Sequence, residues 1–491
     1  MQNRDRLFYQ YALMNLAILQ SDFGCHKEAV ATMLETVSTA RENKDMTCLN
    51  FALNWFFHFG RAHPQLVQEL EQNSMLGSGK ESLAFLRVKA KETGMWILWS
   101  SALQSEAKMC LASGDSISTA LEHMVRGSQL IVERNLKTMV GSQLSLTVSF
   151  WDRLGISCMS TMTCEVFLRC HAQTSIFDDE LKMKCRLAGL LAGRGKYEEA
   201  FEHLESIDKN ALRSAKANQY WHLYRGLLKV RRDLHRDNLE AAESLLSQLL
   251  QTGAEDIEPD IVFITDSLHI EALIRRGNFE EAFTKIDRLI SELRENNRDV
   301  SLRVRLLLTK AHLFDITGRP EKGFTIAMRA TSLAWRARLL PLLWQGVGAL
   351  ANILNSLREF AAAAKLLLVL LPRCLEIDNA YNAGTLYSLL ADSRMGQAGE
   401  VVAAEGLGRV AGPGTGQSKK VTEFFTKADH ALEDALRYFS MVEDVEKQCE
   451  MLAKKASIKR AMGDDAMAEN CAARYLALRS GRGGATVGRA V

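Results

Sequence analysis

Gly406-Leu407-Gly408-Arg409-Val410-Ala411 has the glycine spacing of a dinucleotide-binding phrase and follows the strand-like Val401-Val402-Ala403-Ala404. Such a phrase works when a strand delivers it and a helix opens on it, because the first amides of that helix hold the pyrophosphate. Here Gly412-Pro413-Gly414-Thr415-Gly416 come next, and they cannot open a helix. The run from Gly412 to Lys420 also lacks the Gly-Lys-Ser/Thr order of a phosphate loop. The stretch is read as a flexible insertion, and no cofactor is expected.

Cys158, Cys164, Cys170 and His171 cluster in sequence and invite a zinc reading. Steps of six turn a helix by about 240°, so the three thiols would point to different sides. Zinc sites favour CxxC or HxxxH pairs, and buried free cysteines are the ordinary alternative. No HExxH, nucleophile elbow or catalytic-cysteine pattern occurs. No metal ligand and no catalytic residue is therefore expected.

The stretch 209–236 carries Arg213, Lys216, Arg225, Lys229, Arg231 and Arg232, with Tyr220, Trp221 and Tyr224 between them. A basic and aromatic helix can line a groove for an acidic peptide or stack on RNA bases. In a groove, Arg213, Tyr220, Tyr224 and Arg225 would make the contacts. The plainer reading puts Trp221 and Leu228, seven residues apart, on a packed face and the arginines in solvent. Trp96, Trp99, Trp335 and Trp344 are likewise read as helix-packing residues.

What positions all these residues is a recurring phrase: a glycine, an aromatic two places on, a small residue five places on. It reads Gly24…Ala29, Gly195-Lys196-Tyr197-Glu198-Glu199-Ala200 and Gly277-Asn278-Phe279-Glu280-Glu281-Ala282. Looser copies start at Asp237, Gly318, Arg358 (with Phe360 and Ala363) and Gly463. From 195 the starts step by 42, 40, 41 and 40 residues, and Gly155 and Gly114 continue the series backwards. An alanine stands seven residues ahead at Ala17, Ala107, Ala188, Ala311, Ala351 and Ala456. A glycine can take the left-handed conformation that ends a helix, and small residues sit where two helix backbones approach most closely. The aromatic fills the angle between them. Each helix pair buries one face only when a neighbouring pair stacks on it, which makes a solenoid.

The fold expected is all-α: a right-handed superhelix of about ten antiparallel helix pairs. Residues 1–395 form the repeats, with an irregular segment near 65–93 and a turn at Gly60. Residues 396–420, with seven glycines, form the disordered insertion, 421–479 the last helices, and 480–491 a disordered Gly/Arg tail. Only 6 prolines among 491 residues suit a chain made of helix interiors. Lys+Arg 61 against Asp+Glu 59 gives a net charge of +2, so neither nucleic acid nor an acidic membrane is an expected partner. The longest apolar run, Phe360 to Leu371, is broken by Lys365 and is too short to span a bilayer. Ten cysteines without a framework spacing or an export signal suit a reducing compartment, the nucleus and cytoplasm.

The phrase Gly-x-Tyr/Phe-x-Glu-Ala resembles the tetratricopeptide helix pair, here with a longer step than the usual ~34 residues. The opening segment resembles something narrower. Tyr11-Ala12-Leu13-Met14-Asn15-Leu16-Ala17-Ile18-Leu19, Phe23-Gly24, Glu28-Ala29, Glu35-Thr36-Val37, Ala40-Arg41-Glu42-Asn43, Asp45, Cys48-Leu49 and Ala52-Leu53-Asn54-Trp55 look like the first repeat of subunit five of the anaphase-promoting complex. The resemblance implies a non-catalytic scaffold in a multisubunit ubiquitin ligase of the cell cycle. Its partners would be the other subunits, with no homo-oligomer required. That family carries a helical domain ahead of these repeats, whereas here they begin almost at Met1. The alternative is a free-standing adaptor that binds short peptides in a concave groove.

Overall fold

The computed structural model describes residues 2–63, 66, 79–208, 210–252, 259–295, 299–404 and 419–480. Among them, twenty-two α-helices follow one another with no strand, and two helices to a pair make eleven pairs. The chain is an all-α helical-repeat protein, in two compact units: 1–146 with 173–176, and 147–172 with 177–491.

The first unit contains α1 (Gln2–Asp22), α2 (His26–Glu42), α3 (Met46–Ala62), α4 (Gly79–Glu92), α5 (Trp96–Ser113) and α6 (Ile117–Glu133); α7 (Val140–Leu154) begins in it. Its core runs through Ala17, Met33, Ala40, Cys48, Ala52, Phe56, Phe59, Leu83 and Leu86. Asp45 caps α3 by accepting from the amides of Thr47 and Cys48, and the buried Gln10 of α1 donates to its other oxygen at 2.9 Å. One carboxylate thus ends a turn and ties it to the preceding pair. Two expectations are corrected here. Gly60 is no turn: α3 continues through it, because Trp55 stacks on Phe59 at 4.5 Å and holds the helix against the core. Part of the segment read as irregular, 79–92, is helix, with Leu83, Leu86 and Ala90 buried, and it ends at a left-handed Gly94.

The second unit takes the end of α7, then α8 (Ser157–Cys170), α9 (Phe177–Gly193), α10 (Tyr197–Glu205), α11 (Ala215–His235), α12 (Leu239–Thr252), α13 (Pro259–Arg276) and α14 (Phe279–Glu295). It continues with α15 (Val300–Ile316), α16 (Pro320–Arg336), α17 (Leu340–Ser356), α18 (Phe360–Leu375), α19 (Ala380–Ala404), α20 (Lys419–Met441), α21 (Val445–Ala461) and α22 (Asp465–Ser480). Odd-numbered helices open each pair and even-numbered ones close it.

The joints inside the pairs share one geometry. At Gly195, Asp237, Gly277, Gly318 and Arg358 φ is positive, and the next amide reaches back five residues, as Lys196 does to Leu191 at 3.0 Å and Glu359 to Leu354 at 2.9 Å. This is the Schellman ending. Asp237 and Arg358 adopt it without being glycine. The small residues of the phrase lie at the helix crossings: Ala188, Ala200, Ala282, Ala351 and Ala363 are fully buried.

The insertion is shorter than expected. Helix α19 runs nine residues into the stretch read as loop, because Gly396 lets the Phe360 ring sit against its backbone and Ala398 is fully buried. Residues 405–418, which hold the dinucleotide-like phrase, and the tail 481–491 lie outside the described residues.

Candidate functional site

The residues nominated for chemistry do not converge. Cys164 is buried in α8, while Cys158 and Cys170 are exposed. Among the described residues no group of three or more His, Cys, Asp or Glu could hold a metal ion. Arg213 ends a short 3-10 turn and is exposed. Tyr220 and Tyr224 stack with centroids 6.3 Å apart, and the Tyr224 hydroxyl lies against Gly189 of α9. Arg225 points elsewhere, pairing with Glu205 at 2.8 Å and covering the ring of Trp221. Trp221 donates its indole N–H to the Leu204 carbonyl at 2.9 Å, so it is a packing residue. Trp335 is not: it stands exposed on α16.

What the second unit does bring together is one edge of its earlier pairs and the opposite edge of its later ones. The C-terminal ends of α7, α9, α11 and α13 carry Arg153, Arg194, Arg232, Arg236 and Arg275. The turns that start α15, α19 and α21 carry Asp299, Asp378, Glu443 and Asp444. These sets meet. Arg153 pairs with Asp299, the cap of α15. Arg194 pairs with Asp378 at 2.5 Å. Arg232 and Arg236 both donate to Glu443, at 3.1 and 2.6 Å. Arg275 donates to Asp444 at 2.9 Å and to the Leu234 carbonyl at 2.6 Å. The signs follow from helix polarity, since cations are favoured at C-terminal ends and anions at N-terminal ends. The second unit is therefore a coil whose rim closes on its own next turn.

The closure is tight as well as charged. Gly195 lies so close to the Met441 carbonyl that no Cβ would fit, and Gly155 faces Pro341 and Ile377. His235 stacks on Tyr381 at 5.6 Å, and its Nδ1 lies 3.2 Å from the Val442 carbonyl and 3.1 Å from the Tyr197 hydroxyl. Asp378 and Glu443 hold left-handed φ values of 59° and 61°, a strained choice for non-glycine residues. A glycine would relieve that strain but would bring no carboxylate to the arginines.

Burial sets the energies. Asp444 has no exposed surface, and both its oxygens are used, one by Arg275 and one by the Lys447 amide at 2.9 Å. Removing one partner of such a buried pair costs about 3–5 kcal/mol. Burial disfavours the charged form of Arg275, yet Glu271 and Asp444 outweigh it and raise its pKa. Burial likewise pushes the Glu443 carboxyl up, and the hydrogen bonds from Arg232 and Arg236 overcome it to leave it below the ordinary value. Burial lowers the pKa of His235 and keeps the ring neutral, against the opposing charge of Glu271.

Residues 1–63, which include the opening helices of the first unit, match the family described as anaphase-promoting complex subunit 5. Relatives bearing that description align far beyond this segment: the one from Schizosaccharomyces pombe is 26% identical over 293 residues, covering 60% of this chain. The chain is similar to anaphase-promoting complex subunit 5 across most of its length. The Mus musculus relative is 21% identical and the Homo sapiens relative 20%, each covering 94% of this chain. The chain spans 38% of the length of the S. pombe protein, 59% of the mouse one and 58% of the human one. Residues 172–326 also match the SusR N-terminal TPR domain, in agreement with the joints described above. No helix among the described residues is long and apolar enough to cross a membrane.

Proposed function

We propose that the chain acts as a non-catalytic scaffold subunit of the anaphase-promoting complex, a multisubunit E3 ubiquitin ligase that controls cell-cycle progression, in the nucleus and cytoplasm. The observation that carries this reading, beside that similarity, is the closed rim. Four sets of ion pairs lock early repeats to late ones, so the unit bends little and can fix the distance and orientation of partners bound to its outside. Holding partners so raises their effective concentration for one another. A free-standing adaptor that takes peptides in from this edge would have to break those pairs first.

The test is to tag the chain in its own cells, purify it gently and identify what stays bound. Stoichiometric recovery of a large complex with a cullin-like and a RING-type subunit is expected. Recovery of the bare chain, or of chaperones with varied peptides, would overturn the scaffold reading.

A further inference from the structure

The outer faces of the closing helices differ sharply along the second unit. Helices α10, α12 and α14 together expose one large apolar side chain, Leu250. By contrast, α16 exposes Phe324, Met328 and Trp335, which fall on one stripe at steps of four and seven. The next closing helix, α18, exposes Leu366, Leu368 and Val369, the last at 76%. These are long helices with well-filled cores beneath them, so the exposure is not a frayed end.

The charge on this face is one-sided. Helix α16 has a single carboxylate, Glu321, and α18 has none, whereas Lys322, Arg329, Arg336 and Lys365 are all exposed there; Arg373, also exposed, pairs with Glu376 just beyond α18. Arg338 covers one side of the Trp335 ring with its guanidinium 4.4 Å from the centroid. Helix α14, one pair earlier, carries Asp287 and Glu292, paired with Lys310 and Arg288. Arg303 on α15 is half-buried beside Arg329 and Arg294, and burial together with those two charges lowers its pKa.

We propose that the outer faces of α16 and α18 form a docking surface for an amphipathic helix of another subunit, with Trp335 and Val369 taking its apolar stripe and the lysines and arginines taking carboxylates along its edges. This rests on the scaffold reading, since it names the chemistry of one partner. Aromatic and arginine side chains are the residue types that dominate interface energies, and a helix laid on an apolar surface is a recurring mode of recognition.

The experiment uses the full chain purified with its bound partners. A zero-length carboxylate–amine crosslinker is applied, and amine acetylation of Lys322 and Lys365 is compared with that of the isolated chain. Expected are crosslinks from these lysines to Asp or Glu flanking an apolar helical stripe in one partner, with acetylation suppressed about tenfold or more. Trp335→Glu and Val369→Glu, both at exposed positions, should abolish the crosslinks and deplete that partner alone, with the melting curve of the isolated chain unchanged. Lys322 and Lys365 as reactive in the complex as outside it would sink the docking surface while leaving the scaffold reading intact. A chain that purifies alone would end both.

Discussion

Replacing Gly195 by alanine separates the closure of the rim from the making of a turn. Gly195 and Gly277 sit at equivalent joints, with φ of +85° and +84°. A Cβ costs about 1–2 kcal/mol in that conformation, and this cost is common to both. Around Gly277 nothing lies within 4 Å of the added atom. At Gly195 it would run into the Met441 carbonyl and come within 3.1 Å of the Val442 nitrogen. Backbone cannot rotate aside as a side chain does, so the two edges must part. Overpacking of this kind adds about 1–3 kcal/mol, which raises the open fraction of the rim roughly 5- to 150-fold. Hydrogen exchange reads this directly: peptides covering residues 439–448 should exchange faster in Gly195→Ala than in Gly277→Ala, with the repeats elsewhere alike. Equal exchange there in the two variants would refute the claim that the rim is closed in solution.

Two further outcomes follow from the packing and the titration. Ala200→Trp or Ala282→Trp places an indole where two helix backbones meet at fully buried positions, and overpacking should lower the melting temperature by the equivalent of about 1–3 kcal/mol or more; an unchanged melt would mean that the repeat register is misplaced. His235 is held neutral when folded but titrates at its ordinary 6.5 when unfolded. Its folded pKa is the lower one, so stability is greatest above pH 6.5 and falls as the pH drops towards the folded value. Denaturant midpoints measured above and below pH 6.5 should therefore differ more in the parent chain than in His235→Phe, and an identical pH dependence would remove His235 from the account.

Much of the repeat architecture is legible from local rules. A left-handed joint must be glycine or tolerate strain, and a helix crossing must be small, so Gly195, Gly277, Ala200 and Ala282 announce themselves at a fixed step. Where the rules bend, the reading slips: Gly60 has the type of a turn residue, but Trp55, Phe56 and Phe59 carry the helix through it. Gly396 likewise reads as loop, although it is the absence of a side chain there that admits Phe360. The rim could not be read at all. Arg153 and Asp299 are 146 residues apart, Arg232 and Glu443 are 211 apart, and each looks alone like an ordinary charge at a helix end. The apolar face of α16 was hidden for a different reason. Periodicity finds Trp335 on a stripe, but a stripe does not say which side of the helix is the inside.

The rim also has a consequence for the order in which the protein is made. Each helix pair can stack on its predecessor as soon as it leaves the ribosome, since its contacts are local. The arginines at 194, 232, 236 and 275, however, wait for carboxylates at 378, 443 and 444 that are synthesised far later. Through that interval the nascent coil is a stack of formed repeats with an open lip, where Arg232 and Arg275 hold only their local partners Glu198 and Glu271. Closure comes in order along the chain: Asp299 reaches Arg153 first, Asp378 then reaches Arg194, and the turn after α20 arrives last to find Arg232, Arg236 and Arg275 already in place.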